Sequence, residues 1–167
     1  MHRRLFLALA LLAPLPSLAA QDAPRTVYVV RHAEKGPENP DPSLTDGGKR
    51  RAATLARVLM DAKVTALFAS EFKRTQETLA PLGQAAGITT TVVSAGKMND
   101  LITAISALPP GSSAVVASHS NLVHLIVERL TGQKMNMLTD ADYDRLVVLT
   151  VEGDGRGRAV VLRYGEP

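Results

Sequence analysis

Two histidines and two arginines stand out because each falls just past a segment expected to be a strand. Arg31-His32 follows Thr26-Val27-Tyr28-Val29-Val30, and Ser118-His119-Ser120 follows Ala114-Val115-Val116-Ala117. Ser70 follows Ala66-Leu67-Phe68-Ala69, with Arg74 one helical turn further on. Open α/β sheets bind ligands at the carboxyl ends of their strands. Apolar strands need no histidine or arginine there for stability, so this convergence on one rim points to chemistry. Guanidinium forks bind phosphate oxygens in pairs and stay charged at any working pH. Neighbouring arginines disfavour imidazolium and keep a histidine neutral and nucleophilic. Helix N-termini on the same rim would offer amides to the transferring oxygens. The 167-residue chain has no cysteine, which removes disulfides, thiolate metal sites and a thiol nucleophile together. With no carboxylate cluster either, a histidine carrying a phosphoryl group is the simplest covalent route.

The elements that must position these residues alternate along the chain. The first strand, 26–30, is apolar on both faces, as expected where helices cover both sides. A polar, proline-rich loop runs from Ala33 to Ser43. Thr45 and Asp46 offer N-caps for a helix reaching about Met60, with Ala52, Leu55 and Leu59 on its apolar side. A short strand at 66–69 leads to Ser70, the expected cap of a helix from about Glu71 that Pro81 should interrupt or kink near Ala80. Thr89–Val93 reads as the third strand. Asn99 or Asp100 caps a helix to about Leu108, ended by Pro109-Pro110-Gly111. After the strand at 114–117, a fourth helix spans Asn121 to Thr131, closed by Gly132. Leu146–Val151 and Ala159–Tyr164 flank the glycine-rich Gly153–Gly157 turn as a terminal hairpin. The pattern implies one α/β domain, a three-layer α/β/α sandwich with a mainly parallel central sheet. Repeats and low-complexity tracts are absent. Hydrophobic residues at 46% and charged residues at 21% suit a buried core and exclude wholesale disorder.

The first twenty residues read differently. His2-Arg3-Arg4 is followed by apolar Leu5–Ala13, then Pro14, Pro16 and small residues, the layout of a cleavable signal peptide. The apolar run falls short of the roughly 20 residues that span a bilayer. Cleavage is expected after Ala19 or Ala20, leaving residues 21–167 as a single exported domain, periplasmic in a bacterium. No cysteine follows the run, so no lipid anchor and no stable membrane anchor are expected. Removing it lowers the formal charge from +3 to +1. With that, and with aromatics at 4% and no tryptophan, nucleic-acid binding loses its support.

Four segments, in order, resemble the histidine phosphatase superfamily, which includes the cofactor-dependent phosphoglycerate mutases. Val30-Arg31-His32-Ala33-Glu34-Lys35 is similar to the family's Arg-His-Gly signature, and Leu44-Thr45-Asp46-Gly47-Gly48 to its Leu-Thr-x-x-Gly helix start. Ser70-Glu71-Phe72-Lys73-Arg74-Thr75-Gln76-Glu77-Thr78 resembles its Ser-x-x-x-Arg-Thr-x-x-Thr element, and Val115–Asn121 its second-histidine strand. Tyr143-Asp144-Arg145-Leu146 also resembles short, exported members. The resemblance implies a phosphoglycerate mutase-like fold and a metal-independent phosphatase with no cofactor. It makes His32 the nucleophile that becomes phosphohistidine, Arg31 and Arg74 the phosphate clamp, and His119 a stabiliser of the transferring group. The backbone amide of Ser120 would add a phosphate contact. The implied partner is a phosphorylated small molecule or a phosphoprotein.

The sequence departs from the family pattern at Ala33, where glycine is usual, and at Ser120-Asn121, where larger members often have glycines. Larger enzymes also carry a glutamate proton donor after the third strand, and here the stretch reads Ser94-Ala95-Gly96-Lys97-Met98-Asn99-Asp100. Asp100 is the nearest candidate acid and Glu34 the next, unless no residue serves. A weak acid favours good leaving groups, such as phosphohistidine or acyl phosphates, over alkyl phosphates. It also argues against mutase activity. The alternative function is a noncatalytic phosphate- or phosphoprotein-binding domain of the same fold. His124, five residues beyond His119, has the wrong spacing to share a helical face with it and reads as a packing residue. The cations at 49–51 and 57 read as a solvated helix face, Lys35 as solvent-facing or as meeting an anionic substrate at the pocket mouth, and Met135 and Met137 as packing. An acyl-transfer hydrolase is poorly supported, since no Gly-x-Ser-x-Gly elbow occurs.

Overall fold

The computed structural model describes residues 23–38 and 40–166; the expected signal peptide lies outside the described residues. Among the described residues six strands and four helices follow one another: β1 (Arg25–Arg31), α1 (Asp46–Val58), β2 (Ala66–Ala69), α2 (Lys73–Ala86), β3 (Thr90–Val92), α3 (Met98–Ser106), β4 (Ser113–Ser118), α4 (Ser120–Thr131), β5 (Arg145–Val151) and β6 (Gly157–Arg163). They form one sheet in the order β3-β2-β4-β1-β5-β6. The first four strands in that order pair in parallel, and β5 and β6 add an antiparallel hairpin beside β1. The sheet is thus mainly parallel, as the sequence pattern implied.

Alternating side chains of each strand feed two separate cores. Val27, Val29, Phe68, Ala114 and Val116 pack with Leu101 and Ile105 of α3 and with Val123 and Ile126 of α4. Val30, Leu67, Ala69, Val115 and Leu146 pack on the other face with Leu55 of α1, Leu79 and Leu82 of α2, and Tyr164. This is the three-layer arrangement. The central strands β1 and β4 are covered on both sides, which is why they read as unbroken apolar runs.

Local chemistry sets most of the boundaries. Thr45 caps α1 by accepting the Gly48 N–H at 3.1 Å. Gly48 must be glycine, because a Cβ there would lie 2.2 Å from the Glu34 carbonyl oxygen. Gly132 closes α4 in the left-handed region at φ 71°. Three expectations differ from the structure. Pro81 does not interrupt α2, which runs on to Ala86; Leu79 and Leu82 around it are buried, and that packing outweighs one lost backbone bond. The helix begins at Lys73, with Phe72 rather than Ser70 at its cap. Lys97 rather than Asn99 or Asp100 caps α3.

The register brings the site together. Val30 of β1 lies beside Ala117 of β4, which lies beside Ala69 of β2, and Arg31 lies beside Ser118. The residues that follow these three adjacent strands therefore emerge on one rim.

Candidate active site

His32 leaves the end of β1 with its backbone N–H donating to the Ser118 carbonyl at 2.8 Å. Its ring is 3% exposed. Nδ1–H donates to the Ala33 carbonyl at 2.8 Å, so the lone pair of a neutral ring sits on Nε2. Burial chiefly, then the charges of Arg31, His119 and Arg74, push its pKa down to about 3 against the Ala33 bond. At neutral pH the ring is therefore uncharged, with a lone pair on Nε2. Ala33, in the usual glycine position, is fully buried and donates its N–H to Thr78 Oγ1 at 2.9 Å.

Arg31 and Arg74 flank the ring, each held by a loop. Arg31 is 4% exposed. Its Nη1 donates to the Thr139 carbonyl at 2.8 Å, and its Nη2 to Tyr143 Oη at 3.2 Å and Asp140 Oδ1 at 3.3 Å. Arg74 stacks over Phe72 at 4.3 Å, with Nη1 3.6 Å from Asp41. Both arginines nevertheless keep a buried Nε–H with no partner. Buried donors are almost always satisfied, so these two guanidinium donors beside a neutral histidine are unused by the fold.

His119 completes the rim, its ring 5.5 Å from that of His32 and edge-on to Phe72 at 5.3 Å. Burial first, then Arg74 and Arg31, lower its pKa to about 4, against a smaller upward pull from Glu71. Ser120 is the first residue of α4, where backbone N–H groups lack helical acceptors. Arg31, His32, Arg74, His119 and Ser120 all line one open cleft of about 480 Å³.

The two candidate acids stand elsewhere. Asp100 is exposed on the first turn of α3, 3.8 Å from Lys97 Nζ, and does not line the cleft. Glu34 turns its carboxylate to Arg51, whose Nε and Nη2 both reach Oε1, at 2.8 and 2.7 Å. Arg51 itself is a correction: it is 8% exposed and donates to the Tyr164 carbonyl, so it is no part of a solvated face. His124 also lies outside the cleft lining, whereas Lys35, exposed as expected, is at the cleft mouth. Met135 packs against the core, while Met137 is exposed.

The sequence did not show the supporting contacts that several residues make around the cleft. The Thr139–Tyr143 loop grips Arg31, and Asp142 braces it by accepting from Thr139 N at 2.8 Å and Oγ1 at 2.7 Å. Glu71 accepts from Ser94 Oγ and Ala95 N–H, fixing the turn that forms one cleft wall. Ser70, Thr75 and Thr78 all point inward, to His119, to one another or to Ala33. Their spacing was the available signal, since hydroxyls at 70, 75 and 78 beside Arg74 share one side of the strand-to-helix junction.

Fold and cleft together define a phosphoglycerate mutase-like α/β protein with two arginines and two neutral histidines around one open cleft. Residues 27–96 match the family model of the histidine phosphatase superfamily (branch 1). The fold is similar to that of the protein histidine phosphatase SixA complexed with tungstate, at 22% identity and a TM-score of 0.71, covering 83% of this chain and 96% of that one. A mycobacterial glucosyl-3-phosphoglycerate phosphatase aligns at 14% identity and a TM-score of 0.67, over 85% and 100% of the two chains. Phosphoglycerate mutase from Plasmodium falciparum aligns at 17% and 0.64, over 87% and 95%. A comparison with curated sequences returns no match. The chain is thus similar to the histidine phosphatase superfamily over residues 27–96 and shares the fold of these solved structures.

Proposed function

We propose that the protein is a phosphatase that hydrolyses phosphomonoesters or related phosphoryl compounds through a phosphohistidine on His32, without a metal or cofactor. The observation that carries this reading is the pair of unpartnered, buried Nε–H groups of Arg31 and Arg74 beside the free Nε2 of His32. A phosphoryl group seated on those donors offers its phosphorus to a neutral nitrogen, and the guanidinium charges favour the transition state over water. Nε2 forms the N–P bond as the bond from phosphorus to the leaving atom (P–O, or P–N in a phosphohistidine) breaks, its electron pair stays on the leaving group, and that group takes a proton from solvent. Water then cleaves the N–P bond and releases phosphate. Tungstate, a tetrahedral oxyanion like phosphate, was the ligand of the SixA structure, which agrees with this use of the fold.

The cleft favours substrates whose leaving groups need little help. Its only lining carboxylate among the described residues is Asp140, which is bound to Arg31. Acyl phosphates and phosphohistidine, on a small molecule or a protein, fit this better than alkyl phosphates. The open mouth suits a phosphorylated side chain on a larger partner. We further propose that the mature chain works outside the cytoplasm, on the strength of the residue 1–20 layout; among the described residues no helix is long and apolar enough to cross a membrane.

The test is turnover of p-nitrophenyl phosphate together with trapping of an acid-labile phosphoenzyme, for the mature chain and for His32→Ala. The expected result is turnover and phosphoenzyme in the first and neither in the second. Phosphate binding without turnover would instead establish the noncatalytic binder. Turnover that survives His32→Ala would remove His32 as nucleophile.

A further inference from the structure

His119 is tied to the protein interior by two buried hydroxyls. Its Nε2 lies 2.9 Å from Ser70 Oγ, and Ser70 Oγ lies 2.9 Å from Thr75 Oγ1. Thr75 Oγ1 lies 2.7 Å from the Phe72 carbonyl and 3.1 Å from the Ser70 carbonyl. Ser70 is 5% exposed and Thr75 fully buried, so water does not enter the count. A hydroxyl has one proton and a carbonyl only accepts. If Thr75 donated to Ser70, oxygen lone pairs would face each other at 2.7 Å across the Phe72 contact, at the cost of a buried unmade bond. Thr75 therefore donates to the carbonyl. The Thr75–Ser70 contact then carries a proton only if Ser70 donates it. That spends the Ser70 proton, so the contact with His119 requires the ring to donate.

The direction runs one way, from His119 Nε2–H to Ser70, from Ser70 to Thr75, and from Thr75 to the Phe72 carbonyl. A neutral imidazole has a single N–H. With that proton on Nε2, Nδ1 holds a lone pair. Nδ1 makes no hydrogen bond among the described residues and belongs to a ring that lines the cleft. The charged and titratable groups facing this ring are Arg31, Arg74, His32 and Glu71.

We infer that Ser70 and Thr75 hold His119 as the Nε2–H tautomer and so make its Nδ1 the proton acceptor for the water that hydrolyses phospho-His32. The inference rests on the phosphohistidine reading above and assigns a base to its second half. The water oxygen bonds to phosphorus as one O–H bond breaks, its proton going to His119 Nδ1. The N–P bond breaks and its electron pair returns to His32 Nε2. The products are hydrogen phosphate, neutral His32 and a His119 imidazolium, which gives its proton to solvent as phosphate leaves. His119 thus steadies the phosphoryl oxygens as a donor only after it has taken that proton.

The test joins a spectroscopic readout to a kinetic one. Long-range 15N–1H correlation spectra of the ¹⁵N-labelled wild type should show His119 protonated at Nε2 and bare at Nδ1. Thr75→Val leaves the Ser70 proton with His119 Nε2 as its acceptor, so the ring proton should move to Nδ1. Hydrolysis of the phosphoenzyme should then slow about 100-fold, within the usual range for a lost general base, and phosphoenzyme should accumulate. The initial burst of p-nitrophenol should stay within about threefold of wild type, since His32 and both arginines are untouched. Thr75→Ser, which keeps the hydroxyl, should restore both tautomer and rate. An Nδ1–H tautomer in the wild type would overturn the inference without any variant. So would an unchanged tautomer in folded Thr75→Val, or an equal slowing of burst and hydrolysis. Because the tautomer is read without turnover, its failure is distinct from a failure of the phosphohistidine reading, which shows as turnover retained in His32→Ala.

Discussion

Replacing Glu34 by Gln separates two roles that the sequence leaves joined, a proton donor for the leaving group and a structural partner. In the structure Glu34 Oε1 accepts from Arg51 Nε and Nη2 at 2.8 and 2.7 Å, and Arg51 also donates to the Tyr164 carbonyl at 3.1 Å. Breaking a fully buried ion pair costs about 3–5 kcal/mol. Here Glu34 keeps 29% of its side-chain exposure, glutamine retains one acceptor, and Arg51 retains Tyr164. The expected loss is therefore about 2 kcal/mol, near that of one charged hydrogen bond, or a fall in Tm of about 4–8 °C for a chain of this size. The pH dependence fixes the origin. Burial pushes the Glu34 carboxyl up, but the Arg51 bonds outweigh it and hold the carboxyl below its usual range. A depressed carboxylate contributes stability that is complete above its unfolded-state pKa and fades as pH falls through its folded-state value. The gap between wild type and Glu34→Gln, measured by urea denaturation, should be widest at pH 7 and close in acid. Turnover of alkyl and p-nitrophenyl phosphates should change by the same factor. A gap that does not vary with pH would refute the ion-pair account. A selective loss on alkyl phosphates would restore Glu34 as the acid.

Three further outcomes follow from the geometry. With His32 and His119 lowered to about 3 and 4, kcat/KM for p-nitrophenyl phosphate should hold steady down to about pH 4 and fall below it as the rings gain protons; a limb at the ordinary histidine value would refute their burial as neutral groups. Because both values lie below those of the unfolded chain, the two rings should also make stability rise with pH from about 3 to about 6.5, which acid denaturation series would show. Gly48→Ala places a Cβ 2.2 Å from the Glu34 carbonyl oxygen, a backbone clash expected to cost about 3 kcal/mol, and a wild-type denaturation midpoint would contradict it. Asp142→Ala removes the brace on Thr139, whose carbonyl holds Arg31; phosphate should inhibit about tenfold more weakly, the worth of about 1.4 kcal/mol, and an unchanged inhibition constant would show that the loop does not position the arginine.

The fold was legible wherever one local force acted alone. The apolar runs at 26–30 and 114–117 could only be central strands, Thr45 had a helix to cap, and the glycine-rich turn had a strand on either side. It was misread where tertiary packing overrode a local rule. Pro81 is a helix breaker by itself, yet Leu79 and Leu82 carry α2 past it. Ser70 is a good cap by composition, but its hydroxyl is taken by Thr75 and His119, so the helix starts later. The register between strands was not readable at all, although it is what sets Val30, Ala117 and Ala69 in one row.

For the cleft, the same division explains what could be seen. Arg31, His32, Arg74 and His119 are conspicuous because each is a polar residue that the end of an apolar strand does not need. Their supports are ordinary residues whose meaning depends on who faces them. Arg51 looks like its neighbours Lys49 and Arg50, and only the fold turns it inward to Glu34 while they stay exposed. Thr139 and Tyr143 lie more than 100 residues from Arg31 and grip it through a backbone carbonyl and a phenol, contacts that leave no periodicity in the sequence. The acid was the hardest to place for the same reason. Closeness along the chain selected Asp100 and Glu34, whereas the loop after α4 carries Asp140 to the cleft. With that carboxylate held by Arg31 and the neutral rings of His32 and His119 carrying the free nitrogens, the proposed phosphatase would favour a phosphoryl group that leaves its donor easily. Its slow step should then be the hydrolysis of phospho-His32 rather than its formation.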